Sequence, residues 1–126
     1  VFFVCAGLLG LLAVALTINV GLMRGRKKIS LGDGGDAEMR AAIRAHGNLM
    51  EFVPFTLLVI YMASDFYGFR IVAILSVALL AARVAHAGGM LGFIPYGRVV
   101  GAMATTITLG VASVLLVLAG FGLKQY

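Results

Sequence analysis

Four long apolar runs, separated by short polar segments, dominate this chain. They cover about residues 1–23, 45–64, 71–87 and 99–123. A helix needs about 20 apolar residues to cross the hydrocarbon core of a bilayer. Only helices and closed barrels can span it, because every backbone polar group must be satisfied internally. The pattern therefore predicts an all-α bundle of four transmembrane helices with up-and-down topology, forming a single domain over residues 1–126.

The polar segments predict where these helices begin and turn. The first loop, Ser30–Asp36, is rich in glycine and is expected to be flexible. Asp36 is a suitable N-cap for a helix that begins at Ala37 and continues into the second span. Residues 65–70 are expected to form a tight turn, and residues 88–97 to link the third and fourth spans.

Proline and glycine residues inside the spans predict local geometry. Pro54 removes a backbone donor from the second span, which favours a kink there. Gly97 and Gly101 form a GxxxG motif at the beginning of the fourth span, and this motif is typical of closely packed helices.

The distribution of basic residues predicts the orientation of the bundle. The second loop carries only Arg70, and the third carries Arg98. The first loop and its flanks carry six basic residues: Arg24, Arg26, Lys27, Lys28, Arg40 and Arg44. The positive-inside rule then places the first and third loops in the cytoplasm and both termini on the opposite side.

Composition excludes a soluble domain. The chain is 62% hydrophobic and 12% charged, whereas soluble domains carry about 25% charged residues. The net charge of +5 is not accompanied by interleaved aromatic and basic residues, so no nucleic-acid partner is expected. The basic residues are interpreted as topology signals and as contacts to membrane lipid. Because the chain begins at Val1, we expect that its original start was lost or processed, and the first run is too long for a signal peptide.

Ionisable residues inside the spans are the candidates for function, because charge is costly in a membrane unless it is paired. Arg44, Asn48 and Glu51 lie at i, i+4 and i+7 on one helix face, and Arg83 and His86 lie at i and i+3 on another. Glu51 could simply pair with Arg44 or Arg83 as a structural ion pair. One carboxylate cannot neutralise all the arginines, however, so the excess of positive charge predicts an anionic ligand. No metal site is expected, because His46 and His86 lie on different spans without partners.

Two segments resemble a known family. The run from Arg44 to Pro54, RAHGNLMEFVP, resembles the signature R-A-x-x-N-x-x-E-[YF]-x-P of the MAPEG family, the membrane-associated proteins in eicosanoid and glutathione metabolism. The segment from Ala82 to His86 resembles the family's A-R-x-x-[HY] segment. Arg98 follows Arg83 at about the interval that separates the family's third-helix arginine from its thiol-activating arginine.

The resemblance implies a bacterial-type homotrimer, similar to microsomal glutathione transferase, in the inner membrane. It implies that glutathione binds as co-substrate between subunits near the cytoplasmic face, through Arg44, Asn48, Glu51, Arg83 and His86, with Arg40 and Tyr96 as further candidates. Arg98 would be the catalytic residue that stabilises the thiolate, which attacks a lipophilic electrophile or reduces a hydroperoxide. Many family members carry tyrosine where this chain has Phe52 and Met90.

Two other functions are consistent with the same residues. A small proton-coupled transporter could use Glu51 as its membrane carboxylate. A non-catalytic protein of the same scaffold could bind the ligand without turnover.

Overall fold

A computed structural model describes residues 1–122, which form four helices and contain no strand. The helices are α1 (Phe2–Lys27), α2 (Ala37–Ala63), α3 (Phe69–Met90) and α4 (Gly97–Gly120). Their connections are short, so neighbouring helices run in opposite directions. The predicted all-α four-helix bundle is therefore confirmed. The end of the fourth predicted span, Leu123, lies outside the described residues.

The lengths and surfaces of the helices identify an integral membrane protein. α1, α3 and α4 are each long and apolar enough to cross a membrane. α2 is 27 residues long, about 40 Å at 1.5 Å per residue, but charged residues interrupt its first half. Its second half places Val59 and Ile60 in the bundle core and exposes Phe55 and Leu58. Apolar residues thus face both inward and outward, as expected for helices surrounded by lipid.

The beginning of α2 is fixed by its cap. Asp36 Oδ1 accepts a hydrogen bond from the backbone N–H of Met39 over 2.8 Å, which confirms the predicted N-cap. Lys27, at the end of α1, lies 3.1 Å from Asp36 Oδ2 and 3.1 Å from Glu38 Oε2. These contacts join the end of α1 to the beginning of α2.

Side chains of both flanking helices bind the first loop, whose flexibility stays a prediction. Arg24 Nη1 donates to the carbonyl oxygens of Ile29 and Gly32 over 3.3 and 2.8 Å. Asp33 Oδ2 accepts from Arg40 Nε over 2.8 Å. The glycine content predicts the freedom of the backbone alone. A prediction from glycine content alone leaves out the charged side chains of the flanking helices, which bind the loop.

α3 and α4 make the most extensive helix contact of the bundle, in agreement with the close packing that the GxxxG motif predicts. A Cβ atom at Gly101 would overlap the backbone of His86, and one at Gly89 would overlap the backbone of Arg98. The absence of side chains at these positions allows the two backbones to touch. α3 also continues to Met90, so the link to α4 is shorter than the predicted 88–97. α2 continues through Pro54, where the kink stays a prediction.

Candidate functional site

Three helices contribute to one polar cavity at one end of the bundle. Arg44 and Asn48 come from α2, His86 and Met90 from α3, and Arg98 from the first turn of α4. Together they line a volume of about 190 Å³, the arginine cavity. The close contact between α3 and α4 at Gly89 brings the backbone of Arg98 next to α3.

A second volume adjoins the arginine cavity. It measures about 220 Å³ and shares Arg44, Met90 and Arg98 with it. Arg40 also lines this space, but its guanidinium is paired with Asp33. Together the two volumes fall in the lower part of the range of small-ligand sites, roughly 300–1,000 Å³.

Arg83 lies behind the cavity wall. It is only 1% exposed, and its Nη2 atom donates to Asn48 Oδ1 over 2.8 Å. The same atom is 3.2 Å from Nδ1 of His86, and Nη1 donates to Thr105 Oγ1 over 3.4 Å. A guanidinium can only donate, so Nδ1 of His86 accepts and the neutral ring carries its proton on Nε2. Arg83 thus orients two residues that line the cavity, without lining it itself.

Glu51 pairs with Arg44, which decides between the two partners that the sequence left open. The two side chains form parallel hydrogen bonds, Nη1 to Oε1 and Nη2 to Oε2, each 3.2 Å long. Both side chains are about half exposed, at 49% and 53%. Glu51 therefore binds Arg44 at the rim and leaves Arg83 without a carboxylate partner among residues 1–122.

The site carries an excess of positive charge. Arg44, Arg83 and Arg98 supply three guanidinium groups against the one carboxylate of Glu51, an excess of two charges. Within residues 1–122 the side chain of Arg98 has no ion pair or hydrogen bond, and Nε of Arg83 is buried without a partner. Such a cavity is suited to an anion that forms charge-assisted hydrogen bonds.

Three other residues that the sequence analysis named lie outside the cavity. Tyr96 is 85% exposed and adopts a left-handed conformation (φ 59°) at the N-cap of α4. Phe52 is half-buried on α2 and does not line the arginine cavity. His46 Nε2 lies 3.0 Å from Thr17 Oγ1 and so connects α2 to α1.

Sequence reasoning missed two features of this end of the bundle. Met90 was noted only as a departure from the family pattern, but it lies in the cavity wall. Asn19 was not singled out, and its Nδ2 atom is buried with no hydrogen-bond partner among residues 1–122. A signal was present, since Asn19 is the only amide side chain in the first apolar run.

Comparison with known proteins gives a family and two relatives. The sequence model of the MAPEG family matches residues 2–118. Two curated relatives, both called inner membrane protein YecN, come from Escherichia coli K12 and from Escherichia coli O6:H1 strain CFT073. Each is 34% identical over 82 residues, which is 64% of this chain. The match covers 63% of the length of each relative, somewhat less than two thirds.

Proposed function

This chain belongs to the MAPEG family, and we propose that it is a glutathione-dependent transferase or peroxidase of the inner membrane. The observation that carries the proposal is the arginine cavity, which is lined by Arg44 and Arg98, with Arg83 buried behind its wall and the one carboxylate of Glu51 at its rim. The name of the YecN relatives supports the proposed location.

The charges of glutathione complement those of the site. The tripeptide has two carboxylates and one ammonium group, and its thiolate adds a further negative charge. The bound thiolate form therefore carries two net negative charges, which balance the excess on the arginines. In this proposal Arg44 binds a carboxylate and Glu51 binds the ammonium group. Asn48 and the Nε2–H group of His86 provide neutral hydrogen bonds.

Arg98 is the proposed catalytic residue, because it lines the cavity and its side chain has no carboxylate partner among residues 1–122. A free thiol with a pKa near 8.5 is about 3% thiolate at pH 7, and lowering that pKa by about two units makes it roughly three-quarters thiolate. A guanidinium is a permanent positive charge that can produce such a change. The thiolate would then attack a lipophilic electrophile or reduce a hydroperoxide that reaches the site from the membrane.

A homotrimer with cytoplasmic first and third loops is part of the same proposal. Arg44, Glu51 and Arg98 are exposed in the single chain, so a neighbouring copy could cover this rim of the cavity. The basic residues flanking α1 favour a cytoplasmic first loop. Cross-linking in the native membrane tests the trimer, and labelling of single cysteines introduced into each loop tests the orientation.

The proposal is tested by glutathione binding to purified protein and by the ultraviolet absorbance of the bound thiolate. Arg98→Ala is expected to abolish the thiolate signal while the protein remains folded. Arg70→Ala is the matched control, since Arg70 is an exposed arginine at the opposite end of α3. If millimolar glutathione neither binds nor stabilises the protein, the proposal is wrong. Binding without conjugation across a panel of electrophiles would instead identify a non-catalytic binding protein.

The transporter alternative is less well supported by the geometry. A proton-coupled carrier relies on a membrane carboxylate that gains and loses a proton, whereas Glu51 is paired with Arg44 and about half exposed. Glu51→Gln separates the two functions. If the protein is the enzyme, this variant binds glutathione more weakly but binds an analogue that lacks the ammonium group as before. If the protein is the transporter, the variant loses proton-coupled transport.

A further inference from the structure

A larger cavity lies at the same end of the bundle as the arginine cavity. It measures about 350 Å³ and lies among the last turns of α1, the first turns of α2 and the segment that follows α3. Arg26 lines it from α1 and Phe93 from the segment after α3, and we call it the Arg26 cavity. Met90 lines both cavities, but none of the residues assigned to glutathione lines the Arg26 cavity.

Arg26 has no partner within residues 1–122 that neutralises its charge. Its basic neighbours are engaged: Arg24 donates to two carbonyl oxygens that follow α1, and Lys27 pairs with Asp36 and Glu38. The guanidinium of Arg26 forms neither an ion pair nor a hydrogen bond with the described part of the chain. Because Arg26 is exposed at the end of α1, an anionic group can reach it from the membrane surface.

The one carboxylate in the cavity lining is already neutralised. Oε2 of Glu38 lies 3.1 Å from the ammonium group of Lys27. The end of α1 still keeps an excess of at least one positive charge, because residues 26–28 carry three and Asp36 and Glu38 supply two carboxylates. A ligand with one net negative charge matches this excess. A zwitterionic head group would bring an ammonium group as well, and the described lining residues offer it no free carboxylate.

The apolar part of the lining lies deeper in the membrane than Arg26. Met23 precedes Arg26 by three residues on α1, which is about 4.5 Å along the helix axis toward the centre of the bilayer. Leu91 and Phe93 complete the apolar wall from the segment after α3. A phospholipid has the same order of groups, with its phosphodiester at the interface and its acyl chains toward the centre. The cavity therefore matches a lipid in the order of its polar and apolar surfaces as well as in charge.

We propose that the Arg26 cavity binds an anionic phospholipid of the surrounding membrane. The phosphodiester pairs with Arg26, and one acyl chain lies against Met23 and Phe93. A guanidinium suits this role because it donates two parallel hydrogen bonds to phosphate oxygens and is more weakly hydrated than an ammonium group. The lipid fills the space between the end of α1 and the segment that joins α3 to α4. This site goes beyond the proposed function and does not depend on it.

Fluorescence quenching tests this site, because the chain contains no tryptophan. Phe93→Trp places a single reporter in the cavity lining at a side chain that is 80% exposed, so the bundle core stays intact. The glutathione-free protein is reconstituted in phosphatidylcholine vesicles that contain a small fraction of either brominated phosphatidylglycerol or brominated phosphatidylcholine. We expect stronger quenching by the phosphatidylglycerol. Ile107→Trp, on the outer surface of α4, is the control and should respond equally to both lipids.

Two matched variants separate this site from general attraction to a basic surface. In the Phe93→Trp background, Arg26→Gln is expected to weaken phosphatidylglycerol binding at least tenfold, because charge-assisted hydrogen bonds are lost. Lys28→Gln removes the same charge from an exposed neighbour that does not line the cavity, and its effect should stay below about fivefold. Equal losses in the two variants, or equal quenching by the two lipids at Phe93→Trp itself, would overturn the proposal.

Two further probes distinguish a phospholipid from other anions. Inorganic phosphate offers the charge without an acyl chain, and brominated oleate offers an anionic chain without a phosphodiester. We expect millimolar phosphate to leave the quenching unchanged and oleate to quench less than phosphatidylglycerol at the same mole fraction. Displacement by phosphate, or equal quenching by oleate, would refute the assignment to a phospholipid.

The outcomes are independent of those for glutathione. All quenching is measured without glutathione, so the loss of this site leaves the enzyme proposal standing. A protein that fails to bind glutathione but shows the Arg26-dependent quenching retains the lipid site and loses the enzyme proposal.

Discussion

The buried guanidinium of Arg83 donates from Nη2 to Oδ1 of Asn48 over 2.8 Å, and this bond connects α3 to α2 at the arginine cavity. Hydrogen bonds to charged groups contribute about 1.5–3 kcal/mol. The same nitrogen lies 3.2 Å from Nδ1 of His86. Arg83 therefore acts on the cavity through its neighbours and is a positioning residue.

Replacing Arg83 with lysine is expected to disorganise the cavity wall. A single ammonium group cannot reproduce the fork of donors that reaches Asn48, Thr105 and His86. We expect Arg83→Lys to weaken glutathione binding roughly 10- to 100-fold. Nitrogen NMR of His86 should also show the Nε2-protonated tautomer in the original protein and a mixture in the variant. Arg70→Lys, on the same helix, is the control, and an unchanged His86 spectrum in Arg83→Lys would contradict the positioning role.

Met90 offers a gain-of-function prediction. It lines the arginine cavity at the position where many family members carry tyrosine. Met90→Tyr adds a hydroxyl to the wall and is expected to strengthen glutathione binding by about tenfold, the value of one net hydrogen bond. Met90→Phe has similar bulk without the hydroxyl, so it should not show this gain. Isothermal titration measures both affinities, and equal values for the two variants would exclude a role for the hydroxyl.

Gly101 is expected to be a position in α4 that tolerates a side chain poorly. A Cβ atom there would overlap the carbonyl oxygen of Ala82 and the backbone of His86, whereas one at Gly110 would meet nothing within 4 Å. Overpacking of this kind costs about 1–3 kcal/mol. Gly101→Ala should therefore lower the unfolding temperature in detergent and Gly110→Ala should not. Equal unfolding temperatures for the two variants would show that α3 and α4 can move apart to accommodate the added Cβ atom at little cost in free energy.

The cap of α2 predicts an acid-dependent loss of stability. Hydrogen bonds from the backbone N–H of Met39 and from Lys27 lower the pKa of Asp36 below its ordinary value of 3.8. A lowered pKa in the folded state means that the contribution to stability is present above 3.8 and is lost as the pH falls through the lowered value. Thermal unfolding as a function of pH should show this loss.

Asp36→Asn keeps an acceptor at the N-cap but removes the titrating group, so its acid dependence should be smaller than that of the original protein. Asp65→Asn in the second loop is the control, since within residues 1–122 the side chain of Asp65 forms no ion pair. Identical acid profiles for the original protein and Asp36→Asn would contradict this assignment.

The sequence by itself determined the features that depend on neighbouring residues. Helix formation in an apolar run, the cap at Asp36 and the faces shared by Arg44 and Asn48 follow from local hydrogen bonding and from 3.6 residues per turn. The close contact at Gly101 follows from the size of glycine. Each of these features depends on residues of a single helix, and each is found in the structure at the predicted position.

Only the tertiary structure decided how these helix faces meet. The rotation and depth of the helices keep Arg83 away from Glu51, which pairs with Arg44 on its own helix, and they bury Arg83 behind Asn48. They also bury Nδ2 of Asn19 without a hydrogen-bond partner among residues 1–122. A periodic pattern gives the direction of a side chain relative to its own helix axis, but not which residue of another helix lies opposite. That partner is set by the packing of all four helices together.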